Sequence, residues 1–331
     1  MNKFKKVGLT ALAGSLAAMS AHAAEMSVSG GVNATYVSKG GANTGNPFGM
    51  ESRLTFSAGG DLENGMSVSY YTTHEMHNSA GQYSGELAVD MGDMGRISLD
   101  QGVGNAGIDA IDDTTPKAYE EAADGITGSG GFVNAGGSAG LIKYIKSFDG
   151  VTLNAAIRKG SAANNAEGEN SGSSEGEAMT FALMADGSAL GAEGFKAGIG
   201  YAEVEQGQVA VTGADPKDDE IYAIYASYAA GPVTVGAQRN TTTSASKDKE
   251  ADMYSIAFNV NENLAISYAQ QDIEHLNTGS TANVSESIDG IGFSYTMGGM
   301  TLAGQRNEAD DVNGSAGSTE EHTELRLSFS F

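Results

Sequence analysis

The sequence predicts an all-β protein, a transmembrane antiparallel β-barrel of 16 strands with a long third loop folded inward. Three observations predict it. Apolar and polar residues alternate in short segments from Met26 to Phe331, the pattern of strands with one apolar face. The connections between these segments are alternately short and long, as an even-stranded barrel with both ends on one side requires. One connection, Gln101 to Ala139, runs without any period through an otherwise patterned chain. An irregular stretch of that length in a compact protein is either functional or a sign that its neighbours are misassigned.

The first residues are set apart from the rest. Lys3, Lys5 and Lys6, the apolar run Val7 to Met19 and the small-residue site Ala21-His22-Ala23 read as a secretory signal over 1–23. The remainder, 24–331, is then a single barrel domain. With 18 basic and 42 acidic residues the chain carries a net charge of −24, and loss of the leader's lysines makes it more acidic still. A nucleic-acid partner calls for a basic face and is excluded on that ground. There is no cysteine, which fits passage through an oxidising compartment without a disulfide framework. No apolar stretch after Ala24 approaches the roughly 20 residues of a spanning helix, so in a membrane only a closed barrel satisfies the backbone.

The strands follow in order. Met26, Val28, Val32, Ala34 and Tyr36 alternate with Ser27, Ser29, Gly31, Asn33 and Thr35, and Leu54, Phe56 and Ala58 with Arg53, Thr55 and Ser57. The turn Gly60-Asp61-Leu62-Glu63-Asn64-Gly65 ends on Asn-Gly, a hairpin signal. Met66, Val68 and Tyr70 restore the apolar face, then Tyr83, Leu87 and Val89, then Ile97 and Leu99, which lead into the long loop. Beyond it, Leu141 to Ser147 admits either parity, with Ile142 and Tyr144 expected outward and Lys143 inward. The same face continues through Val151–Ile157, Met179–Leu183, Phe195–Tyr201, Tyr222–Tyr228, Val233–Ala237, Tyr254–Phe258 and Leu264–Tyr268. Ile291–Tyr295, Met300–Leu302 and Thr323–Phe331 complete it. The short set of connections is 60–65, 91–95, 148–150, 186–194, 230–232, 260–263 and 297–299. The longer set is 39–49, 76–82, 101–139, 160–176, 206–218, 241–249, 272–286 and 308–320. Only four prolines interrupt the chain, which leaves the ladders intact, and Tyr and Phe lie near the ends of the apolar segments as an aromatic girdle would.

Strand parity puts Arg53, Arg96, Arg158 and Arg326 on the lumen side, with Lys143 added by the favoured facing. Arg53 and Arg326 are expected on strands adjacent across the closure of the barrel. Facing them would stand the acids of the long loop, Asp109, Asp112, Asp113, Glu120, Glu121 and Asp124, which carry a single cation among them, Lys117. Charges opposed across a water-filled constriction set a transverse field and an ion preference; isolated lumen charges with no joint role are the competing reading.

Other patterns carry less. Gly102, Gly104 and Gly107 spell G-x-G-x-x-G after a strand, but no helix opens behind them as a dinucleotide site needs. His74 and His77 are three apart, on opposite faces of a strand, and no metal site is assigned to them. Asp215, Asp218 and Asp219, or Asp310 and Asp311, offer the oxygen ligands that calcium takes; solvated loops are the plainer expectation. No cofactor beyond such loop-bound calcium is expected. No Ser/His/Asp or Cys/His set can be assembled, so an enzyme is not expected.

The turn 60–65, the segment Met91-Gly92-Asp93-Met94-Gly95-Arg96-Ile97-Ser98-Leu99 running into the long loop, and the terminal Phe331 together resemble the Gram-negative general diffusion porins, most of all the alphaproteobacterial type. That resemblance covers the whole mature chain. It implies a trimeric porin of the cell outer membrane, in contact with its lipid and lipopolysaccharide, that passes ions and small hydrophilic solutes passively. It also implies that the third external loop forms the constriction and that Phe331 is the signal read by the barrel assembly machinery. The loop near His77 to Gln82 is the expected subunit latch, and the acidic balance implies a mild cation preference. The alternative from another class is a non-conducting structural or adhesive barrel, which has no need of a long inward loop.

Overall fold

A computed structural model describes residues 25–40, 45–62, 64–76, 82–128, 139–159, 177–205, 218–244, 247–277 and 283–331. The secretory signal, Asp215 and residues 77–81 of the expected latch, His77 included, lie outside the described residues.

Sixteen strands close into one barrel in which each pairs antiparallel with its neighbours in sequence and β1 pairs with β16. They are β1 (Glu25–Lys39), β2 (Phe48–Asp61), β3 (Ser67–Glu75), β4 (Gln82–Asp90), β5 (Arg96–Gln101), β6 (Ala139–Phe148), β7 (Val151–Arg158) and β8 (Ala178–Ala185). The second half comprises β9 (Phe195–Val204), β10 (Asp219–Ala230), β11 (Val233–Thr243), β12 (Lys247–Asn259), β13 (Leu264–Asn277), β14 (Val284–Met297), β15 (Met300–Asp310) and β16 (Thr319–Ser330). Closure leaves no unpaired edge, which is what a sheet in lipid requires. The seam is sealed at the last residue, where Gly30 and Phe331 exchange backbone hydrogen bonds of 2.9 and 3.0 Å.

The period of two sorts the side chains. On β8, Met179, Phe181 and Leu183 are exposed on the outside while Ala178, Thr180 and Ala182 are buried within. On β6, Ile142 is outward and Lys143 is buried on the inner side. On β10, Tyr222 and Tyr228 bracket the outer face about 20 Å apart along the strand, marking the two edges of an apolar band. Tight turns follow the local sequence: Asp149-Gly150 joins β6 to β7 with φ of 46° and 78° at its two residues, the primed hairpin geometry that Asp-Gly favours.

Two expectations are corrected. The loops drawn at 241–249 and 272–286 shrink to 244–246 and 278–283, because β11 to β14 extend well past the apolar band. There the outer face turns polar, and the alternation that marks a strand in lipid disappears while the backbone ladder continues. On β13 and β14, Ile273 and Ile288 keep the parity of their strands, on the face opposite to Tyr268 and Ile291, and are fully buried inside. Arg53 and Arg326 are not on adjacent strands, since β1 lies between β2 and β16, with Gly31 opposite Arg53 and Thr35 opposite Arg326.

Candidate functional site

The segment 102–128 between β5 and β6 is fixed to the inner wall from β7 round to β16. Its root is anchored by Asp100, which accepts from the Val103 N–H at 2.8 Å and from Lys143 Nζ at 3.1 Å. Gly107, at φ 60°, begins a 3₁₀ turn over Gly107–Ile111, and its N–H donates to Asn154 Oδ1 at 2.9 Å. A Cβ here would collide with Thr180, whose hydroxyl accepts from the Ile108 N–H at 2.8 Å. Ile108 and Ile111, both 0% exposed, seat among Ala178, Ala182, Ala202, Val204, Ile221 and Ala223. The wall is small at that point for a reason: a Cβ on Gly200 would stand 2.6 Å from Ile108 Cγ1.

The next anchor is Gln238 on β11. Its Oε1 accepts from the Thr114 N–H at 2.9 Å, and its Nε2 donates to the carbonyls of Ile111 and Asp112, each at 2.7 Å. Pro116 fills the notch left by Gly236, and the Ala118 N–H donates to Ser267 Oγ at 2.9 Å. Ala122, Ala123 and Ile126 then pack on Met253, Ile273, Ile288 and Ala309, while Asn307 Nδ2 donates to the Asp124 carbonyl at 2.8 Å. Irregular backbone inside a membrane barrel needs such partners, because an unmade hydrogen bond away from water costs about 1–3 kcal/mol.

The six loop acids separate into groups. Asp113 and Glu121 both bind Lys117, which lies 3.3 Å from Glu121 Oε2. Burial, with Glu121 beside it, pushes the Asp113 carboxyl up to about 7. Glu121 stays below the usual carboxylate range: burial would raise it, but the hydrogen bond from Asp113 and the charge of Lys117 outweigh that. Burial alone would lower Lys117; its two carboxylate partners hold it above the ordinary lysine range. Asp112, Glu120 and Asp124 are all raised, by burial first and by neighbouring acids second. Tyr119 donates to Glu324 Oε1 at 2.7 Å, and burial with that bond pushes its phenol upward. Asp109 lies on the 3₁₀ turn beside buried Ile108.

The cations on the wall are arranged differently from the expectation of a basic face opposed to an acidic loop. Arg53 pairs with Glu51 and with Glu75 at 3.1 Å, and its guanidinium lies 3.8 Å from the centre of the Tyr83 ring. Arg96 pairs with Glu86. Lys143, 4% exposed, bridges Glu86 at 2.8 Å and Asp100 at 3.1 Å, and Arg158 is likewise buried, 5% exposed. Arg326 stands 3.3 Å from Glu324 and 3.6 Å from Glu120. That last contact joins a loop acid to a wall arginine. The sequence reading gave no site role to the wall acids Glu51, Glu75, Glu86, Asp100 and Glu324, although the parity that turned Arg53, Arg96 and Arg326 inward turns these inward too.

A closed sixteen-stranded barrel, apolar outside and lined by charge within, with a connecting segment fastened along its inner wall, defines a pore-forming outer-membrane protein. The model of the Gram-negative porin family matches residues 8–286, and the chain belongs to that family. No curated protein sequence gives a significant match. Among solved structures, a porin refined at 1.8 Å resolution is 17% identical with a TM-score of 0.67, over 93% of this chain and 100% of that one. The anion-selective porin of Comamonas acidovorans is 14% identical with a TM-score of 0.65, over 93% and 100%. OmpF of Salmonella typhi, solved with daunomycin, is 13% identical with a TM-score of 0.66, over 93% and 98%. At such identities the likeness carries the fold alone. The family and the fold make this protein an outer-membrane porin channel.

Proposed function

We propose that the protein passes small hydrophilic solutes and ions passively through a constriction formed by 102–128, with a mild preference for cations. The observation that carries this reading is the imbalance of charge at the docked segment. The wall arginines Arg53, Arg96 and Arg326 are each matched by a wall acid, so the acids of the segment are not offset by a free basic wall. A negative surplus at a narrow, low-dielectric passage concentrates cations. Glu120, 3.6 Å from Arg326, and Asp124, bonded to Gln305 on β15, are the acids assigned to the narrowest part; Asp109, Asp112, Asp113 and Glu121 are assigned to the charge of the segment as a whole. The preference is a property of these residues rather than of the fold, since a barrel of similar architecture is anion-selective.

The protein works as a homotrimer, on the strength of the family resemblance, exported by the leader 1–23, seated among outer-membrane lipid and lipopolysaccharide and delivered by the barrel assembly machinery through Phe331. Phe331 suits that role: it directly follows the closing strand β16, is exposed, and its ring lies 6.2 Å from that of Phe329. Planar-bilayer recording of the purified mature protein tests the proposal. Current rising in groups of three equal steps, with a zero-current potential on the cation side in a salt gradient, is expected. Folded, membrane-inserted protein that conducts nothing would end it.

A further inference from the structure

Where the docked segment meets β16, Asp124, His322 and Glu324 come together, with one ligand atom from each lying within 4.8 Å of the other two. His322 is 4% exposed, and among the described residues neither ring nitrogen has a hydrogen-bond partner. Its Nε2 stands 3.7 Å from Glu324 Oε2, too far for a hydrogen bond. The ring lies flat against the backbone of Gly125, where a side chain would occupy the same space. A buried imidazole with both nitrogens idle, aimed at two carboxylates, is a ligand set that lacks its centre.

We infer that Asp124, His322 and Glu324 bind a divalent transition-metal ion of the Zn²⁺ kind, fastening the segment 102–128 to the barrel wall. The chemistry of the donors selects the ion. An imidazole with carboxylates suits Zn²⁺, Co²⁺ or Ni²⁺, whereas Mg²⁺ and Ca²⁺ take oxygen ligands throughout. Two carboxylates around a neutral imidazole balance a double positive charge. The carboxylates are already held from behind, as metal ligands are: Gln305 Nε2 donates to Asp124 Oδ2 at 2.5 Å, and Tyr119 donates to Glu324 Oε1, leaving Oε2 turned to the histidine. Metal–ligand bonds of about 2.0–2.2 Å call for ligand atoms about 3.5 Å apart, so the three close on the ion by small side-chain rotations. Three protein ligands leave one position for water or a passing anion. Strand parity alone puts His322 and Glu324 on one face; Asp124, far away in sequence, joins them only through docking.

Binding does not depend on the porin reading; the effect of the ion on current does. The test uses the full-length folded barrel in detergent, with excess Mg²⁺ and salt to occupy the diffuse acidic surface, titrated calorimetrically with ZnCl₂. One Zn²⁺ per chain is expected, and His322→Gln and Asp124→Asn should each weaken binding about tenfold or more. Asp289→Asn, an acid on the outer face, should leave it unchanged. Asp124 belongs to no strand, so its variant keeps the barrel intact even where His322→Gln disturbs it. Absence of saturable Zn²⁺ binding, or equal binding by wild type and both variants, overturns the inference. Bilayer recordings on the same preparations separate the two readings: Zn²⁺ binding without channels upholds the metal site and defeats the porin reading, and channels without Zn²⁺ binding do the reverse.

Discussion

The inner wall of this barrel is two surfaces. From β7 to β15, apart from the buried Arg158, His275 and Glu286, it is built of small, apolar and amide residues: Asn154, Thr180, Ala182, Gly200, Gln238, Ser267 and Asn307. These receive the isoleucines and satisfy the backbone of 102–128. From β16 through β2 to β6 it carries paired charges, with Arg53, Arg96, Lys143 and Arg326 each beside a carboxylate. In the function proposed above, that difference makes docking and selectivity separate tasks given to separate sectors. One holds the segment by burial and hydrogen bonds; the other pairs its charges within the wall, and the proposal leaves the field to the segment's own acids.

The largest effect should come from breaking the docking surface. Ile108→Ala and Ile111→Ala each remove about 2–5 kcal/mol of buried contact, and the segment should come away from the wall while the closed ladder persists. Limited proteolysis within 102–128 of a barrel that still shows heat-modifiable mobility, together with raised conductance, would register this. Gln238→Leu should act in the same direction but less, at about 1–3 kcal/mol for each group left without its hydrogen bond. Amide exchange at Thr114, which loses its acceptor, should quicken about tenfold or more. The charged sector should respond in the opposite manner. Glu51→Gln with Glu75→Gln frees Arg53 from its partners, shifting the zero-current potential toward anions with less than about 1 kcal/mol of stability lost.

The smallest effect joins the two sectors and depends on pH. Docked Asp113 keeps its proton up to about 7, whereas a released segment would lose it in the ordinary carboxylate range near about 4. Docking therefore draws stability from this proton below that range and loses it as pH rises through about 7. Over the same interval the segment gains negative charge, so cation preference should increase modestly between pH 6 and 8, about one unit either side of that value. Asp113→Asn should flatten the profile.

The barrel was legible in the sequence because lipid imposes alternation on the outer face of every strand, and Met179, Phe181 and Leu183 report it directly. Above the apolar band nothing outside demands apolar residues, which is why the extensions of β11 to β14 read as loop. Ile273 and Ile288 keep the alternation but put apolar side chains on the inner face, because docking, not lipid, buries them. The wall cations were readable from parity, and Glu51, Glu75 and Glu86 carried the same signal, so the neutral wall was available to the rule that found Arg53 and Arg96. The grouping of the loop acids was not. That Asp113 shares Lys117 with Glu121, or that Glu120 faces Arg326, depends on where Gln238 and Asn307 fasten the backbone, a relation between residues far apart in sequence.

The central claim is that the acids of 102–128, against a wall neutral within itself, give the channel its cation preference. The direct test is the zero-current potential in a salt gradient for wild type and for a variant with Asp109, Asp112, Asp113, Glu120, Glu121 and Asp124 changed to Asn or Gln. A cation-side potential in wild type that collapses toward zero in the variant is the predicted result. An unchanged potential in a variant that still conducts would contradict the account.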